Sequence, residues 1–140
     1  MIIINAENKV VGRIASFVAE QALAGQTVHV LQCENAVLTG PRAYNLANLH
    51  AHISLTVKGN PLRSPKYSKM ADQILRIAIR GMLPKKGMRG RDAMRLVHCH
   101  IGTPAILQGQ TITDLSNAKP RGSVKTTRIG ELAQMMGAHN

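Results

Sequence analysis

Two short β-branched runs flanking one amphipathic helix limit what this chain can fold into. Met1 to Ile4 is apolar and closes on Asn5, the pattern of a buried strand. Gly12 to Ala24 then places Ile14, Phe17, Val18 and Ala22 at helical spacing, and Gly25 stops the helix. Thr27 to Leu31 reads as a second strand. A helix between two strands supplies the crossover that a parallel pair requires. Ala36 to Leu38 reads as a third strand, and Thr39-Gly40-Pro41 opens another helix with Pro near its first turn, where a missing N–H costs little.

The second half is less regular. Ile53 to Ser68 contains Gly59, Pro61 and Pro65 and reads as an irregular arm. From Ser68 to Met82 a helix is expected, with Met70, Ile74, Ile77 and Ala78 on one face. Asp92 to Met94 suggests a short helical turn, and Leu96 to Ile101 a last strand. The fold class is therefore α/β with a small, mostly parallel four-stranded sheet. Residues 1–104 are expected to form the body. Residues 105–140, rich in Gly, Pro, Ser and Thr, are expected to form an extended tail of the same unit, with a short helix from about Thr127 to Met136.

Charge is concentrated. Of 140 residues, 18 are Lys or Arg and 7 are Asp or Glu, a net charge of +11. Eleven of the cations lie between Lys58 and Arg95, opposed only by Asp72 and Asp92, so this stretch carries nine of the eleven net charges. They are Lys58, Arg63 and Lys66 on the arm, Arg76 and Arg80 one helical turn apart with Lys69 nearby on the same face, and Lys85, Lys86, Arg89, Arg91 and Arg95 beyond. Self-repulsion on this scale points to an anionic partner, nucleic acid ahead of a membrane surface. Gly81, Gly87 and Gly90 let the main chain approach such a partner closely. Phe17, Tyr44 and Tyr67 are too scattered to form a stacking platform, so backbone and shape recognition is the expected mode.

Catalytic and metal signatures are missing. The seven acids form no close pair, no serine has a Gly-x-Ser-x-Gly setting, and no phosphate-binding glycine motif follows a strand. His50-Ala51-His52 and His98-Cys99-His100 lack the four spaced ligands of a zinc site. Cys33 and Cys99 stand apart and are expected to be reduced thiols. No run approaches the roughly 20 apolar residues of a membrane span. No cofactor, small-molecule substrate or membrane partner is expected. An α/β nucleotide-dependent enzyme and a basic DNA-binding protein are the rival classes.

Several stretches resemble one family in order and spacing. They are Gly12-Arg13-Ile14-Ala15-Ser16, Asn35 to Gly40, and Ile77-Ala78-Ile79-Arg80-Gly81-Met82-Leu83-Pro84-Lys85-Lys86 followed by Arg89-Gly90, then Gly102-x-Pro104. Gly130 to Ala133 reads Gly-Glu-Leu-Ala, similar to archaeal members. Together they resemble protein thirteen of the large ribosomal subunit, in its archaeal and eukaryotic branch. His98 to Ile101 departs from the more aromatic pattern of that family. The resemblance implies a three-layer α/β/α fold and a cytoplasmic, non-catalytic role. The chain would bind large-subunit rRNA, sit beside other large-subunit proteins and support assembly. It carries RNA contact onto Arg80, Lys85, Lys86, Arg89 and Arg91, and onto Arg13. The other basic residues rest on the charge argument.

Overall fold

The computed structural model describes residues 1–138. Strand β1 (Ile2–Asn5) leads into helix α1 (Val11–Leu23) and strand β2 (Val28–Leu31), which pairs with β1 in parallel, Ile2 opposite Val28 and Ile4 opposite Val30. Strand β4 (Val97–Cys99) adds in parallel on the far side of β2, Val28 opposite Val97, giving the order β1-β2-β4. The helical crossover read from the sequence is therefore present.

Alternating side chains divide the sheet into two faces, as strand geometry requires. Ile4, Val28, Val30 and Val97 join the main core, into which α1 sends Ile14, Ala15, Val18 and Ala22. Helix α3 (Ala71–Met82) contributes Ala71, Leu75 and Ile79, and helix α4 (Met88–Arg95) contributes Ala93. On the other face Ile3 and Leu31 meet Leu107, from a 3-10 turn at Ala105–Leu107.

The strand expected at Ala36–Leu38 lies outside this sheet. Strand β3 (Val37–Thr39) pairs antiparallel with strand β5 (Thr126–Arg128), so the fold has a three-stranded parallel sheet and a separate antiparallel pair. After β2 the chain leaves the sheet: Gln32 turns left-handed (φ 54°) into a 3-10 turn at Cys33–Asn35 that carries the backbone away.

Helix α2 (Arg42–Ile53) follows β3 and buries only Asn45, which donates to the Gly40 carbonyl at 3.3 Å. Helix α4 is longer than the turn expected at Asp92–Met94. The stretch after Gly102 is closely stitched to the body. Thr113 N–H donates to Ile3 O (2.7 Å), Val10 N–H to Ala118 O (2.8 Å) and Gly40 N–H to Lys125 O (2.8 Å). Buried Lys9 bonds Asn5 O (2.9 Å) and reaches the Asp114 carboxylate (3.2 Å). Helix α5 (Ile129–Met135) inserts Ile129, Leu132 and Ala133 with no exposed surface. Its Gly130 lies so near the 33–35 turn that a Cβ would stand 3.0 Å from Glu34 O.

Candidate nucleic-acid interface

The buried face of α3 recurs every fourth residue, at Ala71, Leu75 and Ile79, which places Arg76 and Arg80 together on the opposite side. Buried Leu83 anchors the chain as it leaves α3, and Pro84 bars continuation of the helix. Gly87 (φ +91°) then turns the chain into α4. Helix α4 packs onto the loop that precedes it through Gly90, where a Cβ would run into the Pro84 carbonyl oxygen. Only a residue without a side chain permits that approach.

Between α3 and α4 lies a groove of about 690 Å³. Arg76, Arg80, Lys85, Arg91 and Arg95 line it, and its apolar surface comes from Tyr67, Ile77, Leu83, Pro84 and Met94. Among the described residues no acid pairs with Arg76, Arg80, Lys85 or Arg91; Arg95 has an exposed partner in Asp92 at 3.3 Å. Four cations converge without neutralisation, so the groove holds a strong positive potential.

The other expected contacts are distributed around it. Lys86 and Arg89 are exposed on the segment between Pro84 and Gly90 but do not line the groove. Lys58, Arg63, Lys66 and Lys69 are exposed on the arm, whose bonds are local: Val57 N–H to Ser64 Oγ (2.8 Å) and Leu62 N–H to Asn60 Oδ1 (3.1 Å). Arg13 lies apart, at the start of α1. Its Nη1 donates to Asn117 O (2.7 Å) and Lys119 O (2.8 Å), so the guanidinium clamps the C-terminal stretch. Composition gave no reason to single out Tyr67. Its ring lies 5.6 Å from that of His52, tilted by 44°, and forms part of the groove wall. The usable signal was position, since Tyr67 ends the arm just ahead of a basic helix.

Three histidines form a second polar cluster on the sheet. His29 Nδ1 and His100 Nε2 are 3.1 Å apart, with ring centres 5.4 Å apart and planes 8° apart. One ring radius at each end accounts for the larger distance, so the rings lie edge to edge and share one hydrogen bond. One nitrogen must donate and the other accept, which excludes full protonation of both rings. His98 lies 4.9 Å from His29 in an offset stack. Burial, then the charge of His98, lowers the pKa of His29 and of His100; Asp72 opposes the effect on His100. Among the described residues no three His, Cys, Asp or Glu side chains converge as a metal set. Cys33 and Cys99 are free; contact with Cys99, then burial, pushes the Cys33 thiol up. Among the described residues no helix is long and apolar enough to cross a membrane.

Fold and groove together define a mixed α/β protein with a cationic groove. The family model for ribosomal protein L13 matches residues 1–106, and the chain belongs to that family. Membership makes it a structural protein rather than an enzyme. It is similar along nearly its whole length to archaeal proteins named large ribosomal subunit protein uL13. That of Methanococcus maripaludis is 38% identical, covering 99% of this chain and 98% of the relative. That of Methanosarcina barkeri is 36% identical, covering 99% of each. That of Haloarcula marismortui is 36% identical, covering 99% of this chain and 92% of the relative. The match places the chain with the archaeal type.

Proposed function

We propose that this chain is a structural constituent of the cytoplasmic large ribosomal subunit, binding large-subunit rRNA through its basic face and supporting assembly beside neighbouring subunit proteins. The observation that carries this is the groove between α3 and α4, where Arg76, Arg80, Lys85 and Arg91 converge without acidic partners. Guanidinium groups match phosphate oxygens bidentately, and Lys85 and Lys86 add point charges. Arg89, with Lys58, Arg63, Lys66 and Lys69 on the arm, extends the positive surface, and Arg95 borders it. Arg13 enters through its grip on the C-terminal stretch, with any RNA contact secondary. Phosphate contacts fix the protein on the RNA, and RNA shape with its 2′-hydroxyls provides selectivity.

The domain organisation belongs to the same proposal. Residues 1–104 present the interface, and residues after 104 complete the same folding unit; the backbone bonds from Thr113, Val10 and Gly40 support this. For the layering we favour helices against the main-core face, with the 105–107 turn over the other.

Binding to a large-subunit rRNA fragment, measured across a salt series, tests the reading. Neutralising six phosphates in single-stranded regions gives a slope of log K against log salt of about −4. A slope near zero contradicts it.

A further inference from the structure

We propose that the groove between α3 and α4 is a seat for one unpaired RNA nucleotide, its base on the apolar wall and its flanking phosphates on the arginines. This deepens the rRNA-binding reading and rests on it. Uninterrupted duplex RNA presents phosphates and sugars to a protein, and its bases stay stacked inside. Such a surface requires cations and has no use for the apolar wall of Tyr67, Ile77, Leu83 and Met94. A base turned out of its helix offers a flat π face that fits this wall, with charge on both sides of it. The volume, about 690 Å³, falls within the range of about 300–1,000 Å³ typical of small-molecule sites. Arg76 and Arg80 from α3 and Arg91 from α4 line the groove together with these apolar residues.

Tyr67 is the central element. Its ring is half-buried, backed by His52, and lines both this groove and the smaller apolar one beside α2. It thus separates the two grooves and offers the larger one an aromatic face on which a single base can stack. The groove owes its depth to the Gly90–Pro84 approach, which fixes α4 against the loop. A single ring suffices for one base, whereas a run of stacked bases would need several. Recognition by stacking at this one point thus adds to the backbone recognition expected from the sparse aromatic content.

The test compares two RNA hairpins at matched salt, one fully paired and one with a single unpaired uridine, binding to the full chain. The bulged hairpin is expected to bind on the order of tenfold more tightly, from the stacking contribution of one base. Tyr67→Ala should remove that preference, bringing the bulged hairpin to the same affinity as the paired one, and Tyr67→Phe should keep it. Crosslinking from 4-thiouridine at the bulge should fall on the peptides holding Tyr67 or Met94, a readout independent of any variant's folding. Equal binding of the two hairpins, or crosslinks only outside the groove, overturns the proposal. If the hairpins bind equally yet the rRNA fragment still binds, only the nucleotide seat fails. If neither hairpins nor fragment bind, the RNA-binding reading fails with it.

Discussion

The arm from Ser54 to Met70 and the stretch from Ala105 to Ala138 look alike as sequence, both broken by Gly or Pro and rich in polar residues, yet they are held in opposite ways. The C-terminal stretch contributes Leu107, Ala118, Ile129, Leu132 and Ala133 to buried positions and bonds its backbone to β1, to the start of α1 and to the end of β3. The arm buries no residue, and the backbone bonds of Arg63 and Ser64 stay within it. The first region is structure. The second leaves Lys58, Arg63, Lys66 and Lys69 free in water for a partner. Irregular backbone becomes fixed only where it carries enough apolar surface to offset its ordering entropy.

The sharpest way to break this contrast is a matched pair of truncations. Leu132→Ala in α5 removes a fully buried side chain and should cost about 2–5 kcal/mol in urea unfolding. Leu62→Ala on the arm, where Leu62 is 86% exposed, should stay within about 0.5 kcal/mol. Comparable losses would mean that the arm is as much a part of the core as α5.

A smaller effect is expected at the groove. Gly90→Ala forces a Cβ against the Pro84 carbonyl and should cost about 1–3 kcal/mol by overpacking, with weaker RNA binding as α4 moves out. Gly81→Ala, with nothing within 4 Å of the added Cβ, should be neutral or stabilising by up to about 1 kcal/mol in the last turn of α3. Thermal unfolding of both variants decides it; equal melting temperatures would show that the Gly90 approach is not tight.

The smallest effect concerns acid. His29 and His100 hold pKa values below the ordinary imidazole value of 6.5, through burial and the charge of His98, with the amino terminus adding to the effect on His29 and Asp72 opposing it on His100. The unfolded chain therefore binds protons more readily over the interval below 6.5. Stability should be fully present above that pH and fall as pH drops through the lowered values. His29→Gln should flatten the fall. A wild-type curve level across that range would show that the pair does not titrate with folding.

Much of this architecture was legible in the sequence because its signals are local. The β-branched run at Ile2–Ile4, the periodicity of α1 and the stop at Gly25 depend on neighbours a few residues away; α3 was legible as a helix, but its buried residues are Ala71, Leu75 and Ile79, not the expected face of Met70, Ile74, Ile77 and Ala78, which is only half-buried. Helix α4 was underread because Gly87, Gly90 and the basic residues around them look like a loop; Gly90 is there for contact with Pro84, which only the fold brings near. Strand β5 has three residues and exists through pairing with β3 far upstream, and β3 left the sheet at the left-handed turn of Gln32, which no local pattern announces. At the groove the basic residues were legible as a charge block, since charge sums along the chain. Tyr67 was not, because its meaning comes from standing opposite Arg91 and Met94 across a space the sequence does not display. Arg13 reads equally as an RNA contact or an internal tie until Asn117 and Lys119 are seen beside it.

Sedimentation of cell extract tests the central claim most directly, with the tagged chain compared to a variant carrying Lys85→Ala, Lys86→Ala, Arg89→Ala and Arg91→Ala together. The native chain should travel with the large ribosomal subunit, and the variant, folded by its circular dichroism, should be largely displaced to the top of the gradient. A native chain found only at the top, or a variant that travels with the subunit as well as the native chain does, would contradict the account.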